Sequence, residues 1–242
     1  MRLRTKIVLL THPKEWRRQR CGTGRLTCLN IADAEIIPGL AFDGNPRVRE
    51  LIDDPAVYPV LLYPGPGAID LSDAAGSQCG TLAKAAGGRR ILAFLVDATW
   101  ACSKAVLRES PGLMRLPRLM FTPATPSRWI IKRQPGPLCL STLETVHELL
   151  CFLEAGGLED YPDKTRLLDA FAAMQAYQIE RAAEDGKPRC LERKRACSGA
   201  AAADQDLAGT QHGFPGNDDL ASRTCRAEHN AELLSNRDSP RT

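Results

Sequence analysis

The chain has 242 residues, enough for one domain with a long appendage or for two small domains. Its 32 basic and 29 acidic residues give a formal net charge of +3, so overall charge does not identify a nucleic-acid-binding protein, and only local basic clusters can. Nine cysteines without a Cys-x-x-Cys pair argue against a disulfide framework or a zinc ribbon and favour reduced thiols in a cytosolic or organellar protein.

The amino terminus has a basic start, but its apolar run from Ile7 to Leu10 is too short for the core of a signal peptide. No stretch of the sequence is predicted to span a membrane, and none indicates a protein partner. We therefore expect a cytoplasmic protein, with nuclear and organellar locations left open.

Short apolar runs alternate with helical patterning along the first half of the chain. Pro64–Gly67 is predicted to be a loop and Gly22–Arg25 a flexible turn, because glycine and proline interrupt regular structure there. The predicted strands are Ile7–Thr11, Ala34–Ile37, Val57–Tyr63 and Ile91–Val96, and the predicted helices begin at Pro13, cover Pro46–Leu51 and cover Trp100–Glu109.

The second half has one predicted strand, Leu116–Phe121, followed by helices. Ser141 and Glu144 have capping-box spacing, since each side chain can reach the backbone amide of the other. A helix is therefore predicted to begin there and to end at Gly156–Gly157. Apolar stripes at helical spacing are Leu143, Val146, Leu149, Leu150 and Leu153 in this helix, and Leu167, Leu168, Phe171, Met174 and Tyr177 in a helix predicted over residues 163–184.

The composition changes beyond Gly186. A basic run at residues 187–195 leads into alanines and a polar remainder whose sole aromatic residue is Phe214. Such a segment buries too little apolar area to offset the entropy lost on ordering it. We therefore predict an α/β domain over residues 1–185 and a disordered tail over residues 186–242.

The segment Asp97-Ala98-Thr99-Trp100 is the first site candidate. It places a carboxylate, a hydroxyl and an indole at the carboxyl end of a buried strand, where open α/β sheets collect ligands. The structural alternative is that Asp97 or Thr99 caps the next helix while Trp100 fills the core.

Four short segments occur in order along approximately residues 5–155. They are His12-Pro13-x-Glu15 with Thr23-Gly24-Arg25-Leu26, then Leu62-Tyr63-Pro64-Gly65, then Asp97-Ala98-Thr99-Trp100, and then Leu140-Ser141-Thr142-Leu143-Glu144. Together they resemble the DTW-domain family, the tRNA-uridine aminocarboxypropyltransferases. Each segment is weak alone, but tryptophan is scarce and four ordered segments with compatible spacing are hard to obtain by accident.

The resemblance implies a SPOUT-like α/β domain with a parallel sheet, a fold in which the chain can be knotted, contrary to the usual topology. It implies S-adenosylmethionine as cofactor and tRNA as partner. Members transfer the 3-amino-3-carboxypropyl group of the cofactor to a ring nitrogen of a uridine and release methylthioadenosine. Two alternatives stay open: a noncatalytic RNA-binding descendant of this fold, and the same transfer to ribosomal RNA.

The sequence departs from the family in two places. Many members begin with a cysteine-rich zinc-binding segment, whereas this chain starts at its first predicted strand, as a truncated gene model also would. Cys21-Gly22 stands where relatives usually carry an asparagine ahead of Thr-Gly-Arg-Leu. We therefore expect no such zinc site, and the contact made by that asparagine is in doubt.

The reaction requires an activated uridine nitrogen and an anchored donor chain. Asp97 is the predicted catalytic residue, because a carboxylate near the imide proton can act as a base or orient the uridine. Its charge can instead balance the sulfonium of the cofactor.

Eight residues are predicted to bind the cofactor. Pro64 and Gly65 let a ligand approach the backbone closely, although an ordinary tight turn has the same residues. Thr99 can contact the cofactor or hold Asp97, and Trp100 can stack or pack. The amino terminus of the helix after Ser141 offers free amides to the carboxylate of the cofactor. The same residues also have a structural explanation as a helix cap, and both interpretations can be true. The eight are Leu62, Pro64, Gly65, Thr99, Trp100, Ser141, Thr142 and Glu144.

Basic residues near the motifs are predicted to contact RNA, although charge runs are commonly solvated faces. Phosphate neutralisation dominates such binding, and Trp129 lies among the second group, as suits a wall that holds a splayed base. No metal site is predicted, since Cys190 and Cys197 lack ligand spacing and His147 reads as a surface or core histidine. The predicted RNA-binding residues are His12, Arg17, Arg18, Arg25, Arg128, Lys132 and Arg133.

Overall fold

The computed structural model describes residues 1–18, 21–73, 77–132, 134–136 and 138–185, with the backbone alone at Arg18, Ser77 and Trp100. The predicted tail, residues 186–242, lies outside the described residues, as do Arg133, Cys190 and Cys197.

Six parallel strands form one sheet in the order β2-β1-β5-β3-β6-β4. β1 and β5 lie side by side, so that the last residue of β1, Thr11, is directly opposite Asp97 at the end of β5. The strands are β1 (Lys6–Thr11), β2 (Glu35–Pro38), β3 (Val57–Leu62), β4 (Ile69–Asp70), β5 (Arg90–Asp97) and β6 (Arg118–Met120).

Helices cover both faces of this sheet, which is why its central strands read as continuous apolar runs. Alternate residues of β1 point to opposite faces: Ile7 and Leu9 pack on one side and Val8 and Leu10 on the other, all fully buried. The helices are α1 (Pro13–Arg18), α2 (Thr23–Asn30), α3 (Pro46–Asp53), α4 (Ser77–Ala86), α5 (Trp100–Glu109), α6 (Thr142–Ala155) and α7 (Arg166–Glu184), with a short 3₁₀ turn at Leu113–Arg115.

The two faces carry different helices. Side chains from α4, α6 and α7 join the Ile7 and Leu9 side, with α2 packed against α6 and α7. Side chains from α3 and α5 join the Val8 and Leu10 side. The predicted α/β class is confirmed, and the sheet is parallel in all its described pairings.

The start of α6 confirms the predicted capping box. The Ser141 hydroxyl accepts the amide of Glu144 at 3.3 Å, and a Glu144 carboxylate oxygen accepts the amide of Ser141 at 2.8 Å. The predicted stripe from Leu143 to Leu153 is fully buried, and the helix ends before Gly156.

Two predictions are wrong. Gly22–Arg25 is not a flexible turn, because Thr23 begins α2, and packing against α6 and α7 outweighs the low helix propensity of Gly24. Tyr177 is not part of the apolar face of α7: its side chain is 56% exposed and lies under the Arg181 guanidinium.

Two elements had no clear sequence signal. β4 has only two residues, and α4 was not predicted. Among the described residues, no helix is long and apolar enough to cross a membrane. The six described cysteines are free thiols.

Candidate functional site

Asp97 ends β5 at the carboxyl edge of the sheet, beside the end of β1. Both of its carboxylate oxygens accept a hydrogen bond from a threonine hydroxyl. Thr11 Oγ1 donates to Oδ2 at 3.1 Å, and Thr142 Oγ1 donates to Oδ1 at 2.6 Å. The carboxylate is therefore held from β1 on one side and from the first turn of α6 on the other.

The first turn of α2 lies against the same carboxylate. A Cβ atom built on Gly24 would lie 2.9 Å from Asp97 Cγ and closer still to Oδ2. Real Cβ atoms essentially never come so close. Glycine is required at this position because the helix backbone and the carboxylate share the space that a side chain would fill.

A cavity of about 320 Å³ opens at this edge of the sheet. Residues of three of the four motif segments line it, although they are far apart in sequence. Glu15, Thr23 and Arg25 come from the first segment, Asp97, Ala98 and Thr99 from the third, and Leu140, Ser141 and Thr142 from the fourth.

Glu15 brings a second carboxylate to the cavity. Burial raises the pKa of Glu15, and the negative charge of Asp97 raises it further, while Lys132 and Lys14 oppose the shift. The same charge acts on Cys28 of α2, where burial, then Asp97 and Glu35, raise the pKa of the thiol to about 12. Two neighbouring carboxylates of unlike surroundings are typical of sites that move protons.

Arg25 supplies a cation to the cavity wall. Its guanidinium stacks on the Trp16 ring at 3.7 Å and donates to the Trp16 carbonyl at 3.1 Å. Its Nε atom is buried and has no hydrogen-bond partner in the described structure. A buried donor without a partner is unfavourable, so the contacts of the guanidinium with Trp16 offset a local cost.

Residues 127–132, which we call the strap, form another wall. Glu144 holds its first residues, accepting from Ser127 Oγ at 2.8 Å and from the Arg128 amide at 2.5 Å. Gln175 of α7 holds its middle, accepting from the Ile130 amide at 2.7 Å and donating to the Arg128 carbonyl at 3.0 Å. Both side chains are at least 95% buried, so the strap is fixed from within the domain.

Trp129 and Lys132 of the strap line the cavity. Trp129 packs edge-on against Phe171 of α7, with ring centroids 4.8 Å apart, and the Lys132 ammonium lies 5.9 Å from the Trp129 ring. The strap thus adds one aromatic surface and one cation to a site that also holds two carboxylates.

The predicted cofactor-binding residues fall into three groups. Thr99, Ser141 and Thr142 line the cavity, Thr99 also accepting the Cys102 amide at 3.4 Å as the cap of α5. Glu144 is buried behind the wall, where its oxygens hold the strap and the start of α6. Leu62, Pro64 and Gly65 lie at the end of β3 and do not line this cavity. For Trp100 the structure describes the backbone alone.

The predicted RNA-binding residues are likewise divided. Arg25 and Lys132 line the cavity. Arg17 and Arg128 are exposed, and the Arg18 side chain is not among the described parts. His12 is turned to its own chain, where Nδ1 accepts the Lys14 amide at 3.1 Å. Burial and then Lys14 lower the pKa of His12, which favours the neutral ring.

Several residues of the site were not predicted as site residues, among them Thr11, Glu15 and Gly24. Glu15 and Gly24 belong to the motif segments, and this membership could have identified them as site residues. Thr11 was placed only at the end of a strand. Its role depends on the pairing of β1 with β5, which the order of strands along the chain does not reveal.

In the part of the chain that the structure describes, no group of three or more His, Cys, Asp or Glu side chains could hold a metal ion. His147 lies elsewhere, between the Tyr161 hydroxyl at 3.0 Å from Nδ1 and the Cys151 sulfur at 3.7 Å from Nε2.

Comparison with known proteins gives a family for this chain. The model of the DTW domain matches residues 1–179. The curated "tRNA-uridine aminocarboxypropyltransferase 2" of Drosophila melanogaster is 30% identical over 156 residues, which is 62% of this chain and 57% of that protein. The chain therefore spans less than two thirds of the relative's length. No solved structure gives a significant match.

Proposed function

Because the chain belongs to the DTW-domain family, we propose that it transfers the 3-amino-3-carboxypropyl group of S-adenosylmethionine to a uridine in tRNA, with release of methylthioadenosine. One observation carries the proposal: three separate motif segments meet around one cavity, at the Asp97 carboxylate. This is the edge at which parallel α/β sheets bind ligands. The curated relative, whose name states aminocarboxypropyl transfer to a tRNA uridine, supports it.

The residues around the cavity fit S-adenosylmethionine. That molecule carries two cationic groups, an ammonium and a sulfonium, and one carboxylate. Asp97 offers a charge of opposite sign to the cations, and the first turn of α6, which meets the cavity at Ser141 and Thr142, offers the positive end of a helix dipole to the carboxylate. The volume of about 320 Å³ lies at the lower end of the range for ligand sites, roughly 300–1,000 Å³.

When bound, S-adenosylmethionine supplies an electrophilic carbon beside the sulfonium. The chain's own residues then bind and orient the reactants. Thr11 and Thr142 fix the Asp97 carboxylate, which we propose as the catalytic residue. Held in this way, the carboxylate keeps one orientation and needs no rearrangement during the reaction.

We propose that the cofactor and the RNA contact different sets of residues. Among the predicted cofactor-binding residues, Thr99, Ser141 and Thr142 line the cavity directly. Leu62, Pro64 and Gly65 at the end of β3, and Trp100, complete the proposed set, and Glu144 supports it by holding the strap. The proposed RNA-binding residues are His12, Arg17, Arg18, Arg25, Arg128, Lys132 and Arg133.

The test is a transfer assay with purified protein, S-adenosylmethionine and unmodified tRNA. Digestion of the RNA and mass spectrometry should reveal aminocarboxypropyl-uridine together with methylthioadenosine. If both are absent while tRNA still binds, the proposal is wrong and the noncatalytic alternative replaces it. Transfer to ribosomal RNA but not to tRNA would keep the chemistry and change the substrate.

Two wider proposals accompany this function. A SPOUT-like domain is supported by the parallel six-stranded sheet, and tracing the chain in an experimental structure tests whether it is knotted. A cytoplasmic location is supported by the free thiols of the described cysteines, and imaging of the tagged protein tests it.

A further inference from the structure

The two carboxylates of the cavity have different surroundings. Both oxygens of Asp97 already accept hydroxyl hydrogen bonds, and the backbone of Gly24 closes one side. Glu15 stands on α1, lines the same cavity and is half-buried. A pair of acids in unlike environments is a common way in which one site assigns two roles.

We propose that Glu15 is the base that accepts the imide proton of the uridine, and that Asp97 is the fixed negative charge that holds the cationic end of the donor. This inference rests on the proposed function and deepens it. Asp97 suits the fixed role because two hydroxyl donors and a close helix backbone leave it a single orientation. Glu15 suits the proton-accepting role because it lines the same cavity from α1, within electrostatic range of Asp97 and of Lys132 in the strap.

The charges around Glu15 are consistent with that role. Lys132 faces it from the strap, Asp97 from β5 and Lys14 from its own helix, while Arg25 of α2 lines the same cavity. Burial is the largest influence, and its net effect with these charges is a raised pKa. A raised pKa makes the ionised carboxylate a stronger base than an ordinary glutamate, and Lys132 lies where it can stabilise that ionised form.

The N–H bond of the uridine breaks and its proton passes to a Glu15 oxygen. The nitrogen electron pair forms a bond to the methylene carbon of the donor. The carbon–sulfur bond breaks, and its electron pair stays on sulfur, which leaves as neutral methylthioadenosine. Glu15 then loses its proton to water.

Two isosteric variants separate the roles. Glu15→Gln should lower the single-turnover rate by about 10²- to 10⁴-fold, the usual contribution of a general base. Its equilibrium binding of S-adenosylmethionine, measured by dialysis without RNA, should match the wild type. Asp97→Asn should weaken that binding, because it removes the charge that faces the cationic donor. Glu148→Gln is the matched control, since Glu148 is also a partly buried glutamate with a raised pKa but lies outside this cavity.

The pH dependence gives a readout that a merely structural role would not produce. The wild-type rate should fall on the acid side as Glu15 becomes protonated. The rate of Glu15→Gln should not level off above the pKa of a glutamate. It should instead rise about tenfold per pH unit as the solution becomes alkaline, because hydroxide then removes the imide proton. Glu15→Asp, which keeps a carboxylate, should retain an acid limb at a reduced rate.

The outcomes distinguish this inference from the proposed function. A wild-type protein that forms no aminocarboxypropyl-uridine overturns both. A wild-type protein that forms it, with Glu15→Gln equally fast or with Glu15→Gln unable to bind S-adenosylmethionine, overturns the role of Glu15 alone. A Glu15→Gln rate that does not rise with pH overturns it as well.

Discussion

Thr142 Oγ1 lies 2.6 Å from Asp97 Oδ1, and this hydrogen bond ties the central strand of the sheet to the first turn of α6. The two residues are 45 positions apart in the chain. Ser141 and Glu144 fix the start of α6, so the hydroxyl next to them has a fixed position too. The helix cap and the site are therefore one arrangement, and the cap determines where the carboxylate points.

Replacing Thr142 should test the hydrogen bond to Asp97. A hydrogen bond to a charged group contributes about 1.5–3 kcal/mol, so Thr142→Val should lower transfer by roughly 10- to 150-fold. Thr142→Ser keeps the hydroxyl and should restore most of the rate. Equal rates for the valine and serine variants would show that the hydroxyl is not used.

Replacing Gly24 should test the close approach of α2 to the carboxylate. An alanine in a helix interior normally gains about 0.5–1 kcal/mol over glycine. In Gly24→Ala the clash with Asp97 should cancel that gain, since overpacking costs about 1–3 kcal/mol, and transfer should fall more than about tenfold.

Gly80→Ala is the control for this substitution. Gly80 lies on α4 with open space around its Cβ direction, so the variant should gain the full helix-propensity difference and keep its transfer rate. Thermal unfolding of both variants measures the difference. If Gly24→Ala is stabilised as much as Gly80→Ala and remains active, the packing of Gly24 on Asp97 has no functional consequence.

Stability should fall as the solution is acidified because of His147. Burial, and then Arg128, lower the pKa of His147 in the folded protein, so the unfolded chain binds a proton more readily. The stabilisation is complete above the unfolded pKa of about 6.5 and is lost as the pH falls from there through the folded pKa. Urea unfolding between about pH 8 and 5.5 should show this loss, and His147→Gln should reduce its slope. An identical slope in the variant would contradict the assignment.

The exposed end of the strap should contribute to RNA binding. Arg128→Ala should weaken tRNA binding and reduce the dependence of log K on log salt by about one, if Arg128 neutralises one phosphate. Arg108→Ala is the control. Arg108 is an exposed arginine on α5, which covers the face of the sheet opposite to the face covered by α6 and α7. If log K depends equally on log salt in the two variants, Arg128 does not contact RNA phosphates.

The sequence patterns were sufficient where local chemistry decides the structure. The capping box predicts the first residue of α6, and the apolar stripe predicts its buried face. Asp97 could be identified as a site candidate because it ends a buried strand, and the carboxyl edge of a parallel sheet is where ligands bind.

Long-range packing decides what the patterns missed. α2 contains a glycine within its first turn, so local propensity favours a turn, and only contact with α6 and α7 makes it helical. The wall that the strap adds to the cavity likewise depends on Glu144 and Gln175, which hold the strap from different helices. No local pattern encodes that meeting of distant segments.

The most direct test of the account compares the wild-type protein with Asp97→Ala in the transfer assay. Mass spectrometry of digested tRNA should reveal aminocarboxypropyl-uridine and methylthioadenosine for the wild type and neither product for Asp97→Ala, while circular dichroism shows both proteins folded. Undiminished transfer by a folded Asp97→Ala protein would contradict the central claim that this cavity is the active site.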